Sequence, residues 1–329
     1  MASTALRPHA PRNYYPVEEA ENVNSEHEHT EAFNSVKEWV RAQPVSGSSA
    51  DERRPAVLIA AFGGFENAGQ AATGAAEWIL EHVDQTVAAK LNPEDYYDFR
   101  VNRPSRVAGA NGSLKLSWPT TRLHRFRTPT GLDAVIALGP EPNLQWISFV
   151  GEVLMHAEAL NVVMVTALHA TAEQIPHSSD VTARLTSDSR VLRSLTNAKQ
   201  SDDVGPAGIV SVLSDTAWAA GLPVLDVWVD VPHYVAATQS PKAQLALIAA
   251  LDEHLGLDLT TDSLREHAKE WEEALDDAVE DDPRMSALVA QLQERQAEND
   301  QAPAHERIDG EKIAEELRRY LSGRENPSS

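Results

Sequence analysis

The run Ala56-Val-Leu-Ile-Ala-Ala-Phe62, closed by Gly63-Gly64, constrains the fold more than any other stretch of the chain. Seven consecutive apolar residues do not alternate, so a strand built from them has no face to give to water and must be covered on both sides. A helical pattern follows, with Ala68, Ala71, Ala72, Ala75, Ile79 and Val83 on one stripe and small residues that let the helix lie close to a sheet. The same grammar returns in residues 133–138, a strand pattern ended by Gly139-Pro140, then a helix through Trp146, Phe149, Val153 and Leu160, then a strand over 162–168. Further on come a strand over 208–213, a helix over 214–220, a strand over 224–231, and a helix opened by Ser240-Pro241 and ended by Gly256. Such alternation implies a three-layer α/β/α fold with a largely parallel sheet. The Pro-broken stretch from Phe99 to Phe126 reads as an inserted antiparallel ribbon that turns near Asn111-Gly112.

Three regions follow from this pattern. Residues 1–54 form a polar, partly disordered extension with one short helix through Phe33, Val36, Trp39 and Val40, and residues 55–258 form the α/β core. Residues 259–329 form an acidic helical region. Its stripe of Leu264, Ala268, Trp271, Leu275 and Ala278 starts at a capping box, Ser263 to Glu266, and continues through Met285, Leu288 and Leu292 and then Ile313, Leu317 and Leu321, interrupted by Pro283 and Pro303.

Charge and composition remove several function classes. With 50 acidic against 28 basic residues the net charge is −22, which repels phosphate backbones and anionic lipid headgroups, so neither nucleic acid nor membrane is an expected partner. The densest basic stretch, Arg100 to Arg127, is spread through the ribbon and gives no focused patch. The absence of cysteine excludes disulfides, thiolate nucleophiles and Cys-ligated zinc. Met1 to Tyr15 holds no apolar signal core and no stretch approaches ~18 apolar residues, so a cytoplasmic protein is expected. His27 and His29 lie among glutamates in a polar tail and read as a solvated run.

In parallel α/β sheets ligands gather beyond the carboxyl ends of the strands, so the loops there hold the candidates for chemistry. Gly64 and Gly69 have phosphate-loop spacing, but Gln70-Ala71 stands where Lys and Ser or Thr would be needed, and Gly63-Gly64 does not complete the dinucleotide pattern. Glu66 opposes a pyrophosphate at the helix that follows. No ATP, NAD or other cofactor is expected. Pro176-His177 and Pro232-His233 each follow a strand, and Glu141 lies beyond the third strand end, where it offers an acid or base partner. No G-x-S-x-G elbow, H-E-x-x-H or acidic calcium loop is present.

Read together, the segments resemble the proteasome assembly chaperone family, in particular its second assembly-chaperone type. The resemblance runs from about Val57 to Leu292. It is carried by Phe62-Gly-Gly-Phe-Glu-Asn-Ala-Gly69, by Asn92-Pro-Glu-Asp-Tyr-Tyr-Asp-Phe-Arg100 with Arg103-Pro104, by Gly139-Pro-Glu-Pro142 with Trp146, by Val204-Gly-Pro-Ala-Gly208, and by Val231-Pro-His-Tyr-Val235 leading to Ser240-Pro-Lys-Ala243. It implies a phosphorylase/hydrolase-like α/β/α core, a C-terminal helical segment, and binding of a protein partner, proteasome-related or other, with no catalysis assigned. Where relatives read Pro-His-Thr-Arg, this chain has Pro176-His177-Ser178-Ser179 and lacks the cation. The candidate cleft comprises Phe62, Gly63, Gly64, Asn67, Gly139, Glu141, Trp146, His177, Pro232, His233 and Tyr234. The alternative is a small-molecule enzyme or sensor of nucleoside phosphorylase type, with Gly63, Gly64, Glu141, His177 and His233 around one cleft. Self-association, with a trimer as the expected order, fits folds of this kind.

Overall fold

The computed structural model describes residues 33–45, 54–109, 112–202 and 204–301. In chain order the elements are α1 (Val36–Ala42), β1 (Ala56–Phe62), α2 (Ala71–His82), β2 (Gln85–Lys90), α3 (Pro93–Tyr96), β3 (Ser105–Ala108), β4 (Leu114–Ser117), β5 (Arg122–Arg127), β6 (Asp133–Gly139), α4 (Trp146–Ala159), β7 (Val162–Glu173), β8 (Arg184–Thr186), α5 (Arg190–Thr196), α6 (Ile209–Ala219), β9 (Val224–Pro232), α7 (Pro241–Leu255), α8 (Asp262–Asp281) and α9 (Pro283–Gln301). The main sheet has the order β2-β5-β6-β1-β7-β9-β8. Its four central strands, β6, β1, β7 and β9, are parallel, and β5 and β8 pair antiparallel to their neighbours.

The apolar run of β1 is buried at all seven positions. Val57, Ile59 and Ala61 face a cluster that includes α2 and α7, whereas Ala56, Leu58, Ala60 and Phe62 face one that includes α4 and α6. This division is the three-layer α/β/α arrangement that the pattern implied. The helix over 241–255 ends where expected, because Gly256 takes the left-handed conformation (φ 64°) and donates its N–H to Asp252 O at 2.8 Å.

Several local expectations are corrected. Residues 209–219 form a helix, not a strand over 208–213 followed by a helix. Ile209, Val210 and Val212 favour strands intrinsically, but carboxylates from two distant loops take the N–H groups that open α6. The ribbon is confined to β3 and β4, and residues 122–127 instead join the main sheet as β5. There Arg125 Nη2 and Arg54 Nε reach the buried Asp133 carboxylate at 2.6 and 3.3 Å, with Arg127 at 3.7 Å, so part of the basic stretch is neutralised inside the fold. Ser240 stands at the start of α7 without a side-chain cap bond, and Ser263 lies within α8, whose cap position is Thr261, so no capping box forms. The edge strands β2 and β8 carry no alternating apolar pattern that would announce them.

The α8–α9 pair forms a helical hairpin against the core. Leu264 and Ala268 are buried, Trp271 and Leu275 pack on the α7 side, and Val289 and Leu292 are buried on α9. The expected helix through Ile313, Leu317 and Leu321, and His27 and His29, lie outside the described residues. The short helix α1 is no solvated appendage: Val36, Trp39 and Val40 are buried in the same cluster as α7. Ser35 caps it, accepting from the Glu38 N–H at 3.3 Å. Removing the indole in Trp39→Ala is therefore expected to lower the unfolding free energy by about 3 kcal/mol or more. Urea unfolding followed by circular dichroism checks this, and a shift within ~0.5 kcal/mol, as expected for a surface change, would mean that α1 adds nothing to the core.

Candidate functional site

At the carboxyl ends of β7 and β9 the face covered by α6 changes character. Val165, Ala167 and Val224 are apolar, and the next residues on the same face are His169, Thr171, Asp226, Trp228 and Asp230. His169 and Trp228 are register partners, and their rings stack at 3.8 Å with an interplanar angle of 13°. The His169 side chain is 0% exposed and stands between two carboxylates. Its Nε2 meets Asp226 Oδ1 at 3.0 Å, and its Nδ1 faces Glu66 Oε2 at 3.4 Å. Asp226 Oδ1 also accepts from Ser214 Oγ at 2.6 Å, and Thr171 Oγ1 donates to Asp230 at 3.0 Å.

Glu66 comes from the loop after β1 and reaches the start of α6. It accepts from the Gly208 N–H at 3.1 Å, the Ser211 N–H at 3.2 Å and Ser211 Oγ at 2.6 Å, and Glu141 accepts from the Ile209 N–H at 3.0 Å. Gly208 has no side chain to cap this helix, so two carboxylates from other loops satisfy its free N–H groups and its dipole. The sequence-based expectation set Glu66 against an anion at the helix following β1; the fold aims it at α6 instead. An incoming phosphate at that N-terminus would meet the protein's own anions.

The electrostatics follow from this packing. Burial alone would push the Glu66 carboxyl up, but the bond to and charge of His169, with Ser211 and Gly208, outweigh it and hold the group at about 2 against an ordinary 4.5. Burial pulls His169 down, and the two carboxylates overcome it and raise its pKa. Nε2 is within hydrogen-bond distance of Asp226, while Nδ1 faces Glu66 at 3.4 Å without a hydrogen bond of its own, so the attraction there is one of charge. Asp215, beside this network, is pushed up by burial and by Asp226, Asp188 and Glu66. Above the network opens a pocket of about 290 Å³ lined by Phe65, Glu66, Ser211, Asp215, Asp226 and Trp228, among others.

This arrangement does not assemble a hydrolytic couple. Both ring nitrogens of His169 face carboxylates, and the Ser211 and Ser214 hydroxyls donate to Glu66 and Asp226, so neither hydroxyl is placed to pass its proton to the imidazole. It joins four separate pieces of chain, the β1 loop, β7, β9 and α6, through buried charge.

The candidate residues chosen from sequence fall into separate groups. Gly64, with φ 117°, lies so close to Glu141 that a Cβ there would stand 2.5 Å from Oε2, and a second pocket of about 310 Å³ includes Gly63 and Gly139. Phe62 is buried and meets Phe149 edge-on at 5.6 Å. Asn67 holds the start of α2, donating to Thr73 Oγ1 at 2.9 Å and accepting from the Thr73 N–H at 3.1 Å. Trp146 Nε1 donates to Pro142 O at 2.7 Å. On the α7 side, Tyr234 Oη accepts from the His177 N–H at 2.7 Å and lies 2.7 Å from Nδ1, and His177 Nε2 meets Asp276 of α8 at 3.0 Å. Pro232 ends β9, and His233 is exposed, with Nδ1 3.3 Å from Glu173 O. Glu141 thus binds at α6, and His177 binds the helical hairpin beside α7. His169, Asp226 and Ser211 belong to no sequence motif; the one local sign is the alternation Asp226-x-Trp228-x-Asp230 in a strand whose other residues are apolar, and it marks Asp226 alone.

Two predictions rest on these contacts. His169→Ala leaves two buried carboxylates without their cation and is expected to cost about 3–5 kcal/mol, read from denaturant midpoints. In the parent, Glu66 is depressed, so its contribution is present above 4.5 and is lost as pH falls towards 2; His169 is raised, so its contribution is present below 6.5 and is lost as pH rises through its folded value. A His169→Ala variant that keeps the parental stability and the same acid limb would contradict both. Separately, His177→Ala is expected to lose roughly 1–3 kcal/mol, and exposed His233→Ala less than 177; equal or null effects in the same measurement would refute the placement of the hairpin joint at His177.

The chain matches the PAC2 family over residues 61–279. It is similar to the crystal structure of a PAC2 family protein from Streptomyces avermitilis, with 33% identity and a TM-score of 0.65 over 71% of this chain and 99% of that one. It is also similar to a proteasome-assembly chaperone homologue from Mycobacterium tuberculosis, with 30% identity and a TM-score of 0.63 over 71% and 99%. A protein from Corynebacterium glutamicum aligns at 25% identity and a TM-score of 0.66 over 77% and 93%. None of the curated proteins compared with the chain matches it. From the matched core and these likenesses, the chain belongs to the PAC2 family.

Proposed function

We propose that this chain is a protein-binding, assembly-chaperone-like protein that acts in the cytoplasm without catalysis, self-associates, and holds a proteasome-related partner. The observation that carries the reading is the chemistry of the carboxyl edge. Where enzymes of similar architecture receive a substrate, Glu66 and Glu141 already occupy the anion position at α6, and His169 is held between two carboxylates. The same edge leaves large apolar side chains in water: Leu144 and Ile147 are exposed at the start of α4, and Met155 continues the stripe two turns on, past Gly151, where an added Cβ would meet open space. An exposed apolar stripe of this kind suits a protein partner better than a small polar substrate. Among the described residues no helix is long and apolar enough to cross a membrane. The family's link to proteasome assembly gives the partner class to try first.

The test mixes the purified chain with proteasome α-type subunits and follows ring formation by native electrophoresis. Faster or more complete ring formation is expected, with the apparent affinity weakened about tenfold or more by Ile147→Asp. No effect on assembly, together with phosphate-dependent cleavage of a nucleoside, would replace this reading by the enzymatic one.

A further inference from the structure

Of the eleven large apolar residues that stay exposed among the described residues, eight lie in loops at the carboxyl edge or on the ribbon that springs from it. The topology explains the location of the ribbon. β2 ends and β5 begins opposite the carboxyl end of β6, since Lys90 pairs with Arg122 and Arg122 with Leu138, so the intervening β3–β4 ribbon is inserted at that edge. All eight residues of its strands are exposed. Pairing places Arg106 opposite Leu116 and Ala108 opposite Leu114, so these four share one face, and alternation continues that face towards Trp118. A two-stranded ribbon is marginally stable alone in water, and this one presents leucines and a guanidinium with no layer over them.

Elsewhere on the same edge is a surface of opposite character. The pocket above the His169 network is lined by Glu66, Asp215 and Asp226, and two of the most exposed apolar residues of the molecule, Phe65 at 66% and Val204 at 99%, stand in its wall. The two surfaces are complementary in both respects: leucines for Phe65 and Val204, and a guanidinium for carboxylates. Two copies of a chain with a net charge of −22 repel one another unless a basic element of one meets an acidic surface of the other. The ribbon, with Arg103, Arg106 and Lys115 exposed, is such an element.

We propose that the Arg106–Leu114–Leu116 face of the ribbon docks on the Phe65–Asp215–Val204 pocket of a second copy, so that repeated head-to-tail contacts close a homo-oligomer. The contact is heterologous, with two different patches at separate places on one edge, and such contacts close into a ring when the rotation allows. The inference rests on the self-association part of the proposed function and not on the client, so its test uses the purified full chain alone and its failure leaves client binding untouched.

The experiment is a charge exchange read by size-exclusion chromatography with light scattering at micromolar concentration. The parent chain is expected to be an oligomer that added salt weakens. Arg106→Glu alone and Asp215→Arg alone are each expected to raise the dissociation constant about tenfold or more, and the double variant to recover most of the loss. Arg106 is exposed, and Asp215 is reached by solvent although its carboxyl is partly desolvated beside the network; thermal unfolding by circular dichroism checks that each variant is folded. If Asp215→Arg disturbs the adjacent network, Leu114→Glu/Leu116→Glu on the exposed ribbon serves instead, with dissociation expected. A monomeric parent chain, as would result if the ribbon served only a client, would overturn the proposal. So would an oligomer indifferent to the single and ribbon variants, or a double variant no better than the singles.

Discussion

An imidazolium taken out of water loses several kcal/mol of hydration unless opposite charges and hydrogen bonds replace it. His169 is fully buried, and its replacement solvent consists of Glu66 from one loop and Asp226 from a neighbouring strand. Glu66 is in turn held by N–H groups and a hydroxyl at the start of α6, and Asp226 by the Ser214 hydroxyl. The carboxyl edge is built around one buried imidazole: the loop after β1 brings Glu66 in, α6 begins where Glu66 and Glu141 receive its N–H groups, and β9 carries Asp226 between apolar neighbours. A buried ionic network is seldom the most stabilising solution, but it is demanding of geometry, since any alternative packing leaves a charge unpaired. Here that demand falls on the loops that define the edge.

The consequence for function is one of exclusion and then of opportunity. Enzymes built on parallel α/β sheets use helix N-termini and strand ends at this edge to hold anions and place nucleophiles. In this chain the N-terminus of α6 is closed by internal carboxylates, and the serines that face the histidine are committed to those same carboxylates. What the edge does offer outward is apolar: Phe65, Leu144 and Val204 stand in water in the loops and Ile147 in the first turn of α4, and the ribbon adds Leu114 and Leu116. Exposed apolar groups around an acidic pocket are the features on which the proposed protein binding rests. A second joint, from Tyr234 through His177 to Asp276, fixes the acidic hairpin to the other side of the core, helped by Lys242 Nζ, which donates to Glu272 at 2.9 Å.

The layered core was legible in the sequence because burial on two faces leaves a mark that needs no tertiary knowledge. Seven apolar residues in a row at 56–62 can be little else in a chain with helical stripes on either side. Local signals also served where local physics decides, as at Gly256, where a left-handed residue ends a helix. They failed where distant groups decide. Ile209 to Leu213 reads as a strand, and it is helical because Glu66 and Glu141, remote in sequence, receive its first N–H groups. Trp39 and Val40 look like part of a polar extension because one helical turn and a half of apolar residues says nothing about what covers it. At the site, the motif residues Gly64, Asn67 and Glu141 were found by their unusual character. His169 was passed over because a single histidine in an apolar strand has no pattern until the register of β7 and β9 brings Trp228 and Asp226 beside it.

The central claim is that His169 is held as a cation for structural ends, with no nitrogen free to act as a base. Nitrogen-15 NMR of the two ring nitrogens at neutral pH tests this directly. Protons on both are expected, the signature of an imidazolium, persisting above the ordinary histidine value of 6.5. A neutral ring at pH 7, with one bare nitrogen that titrates below 6.5, would contradict it and return His169 to the list of possible general bases.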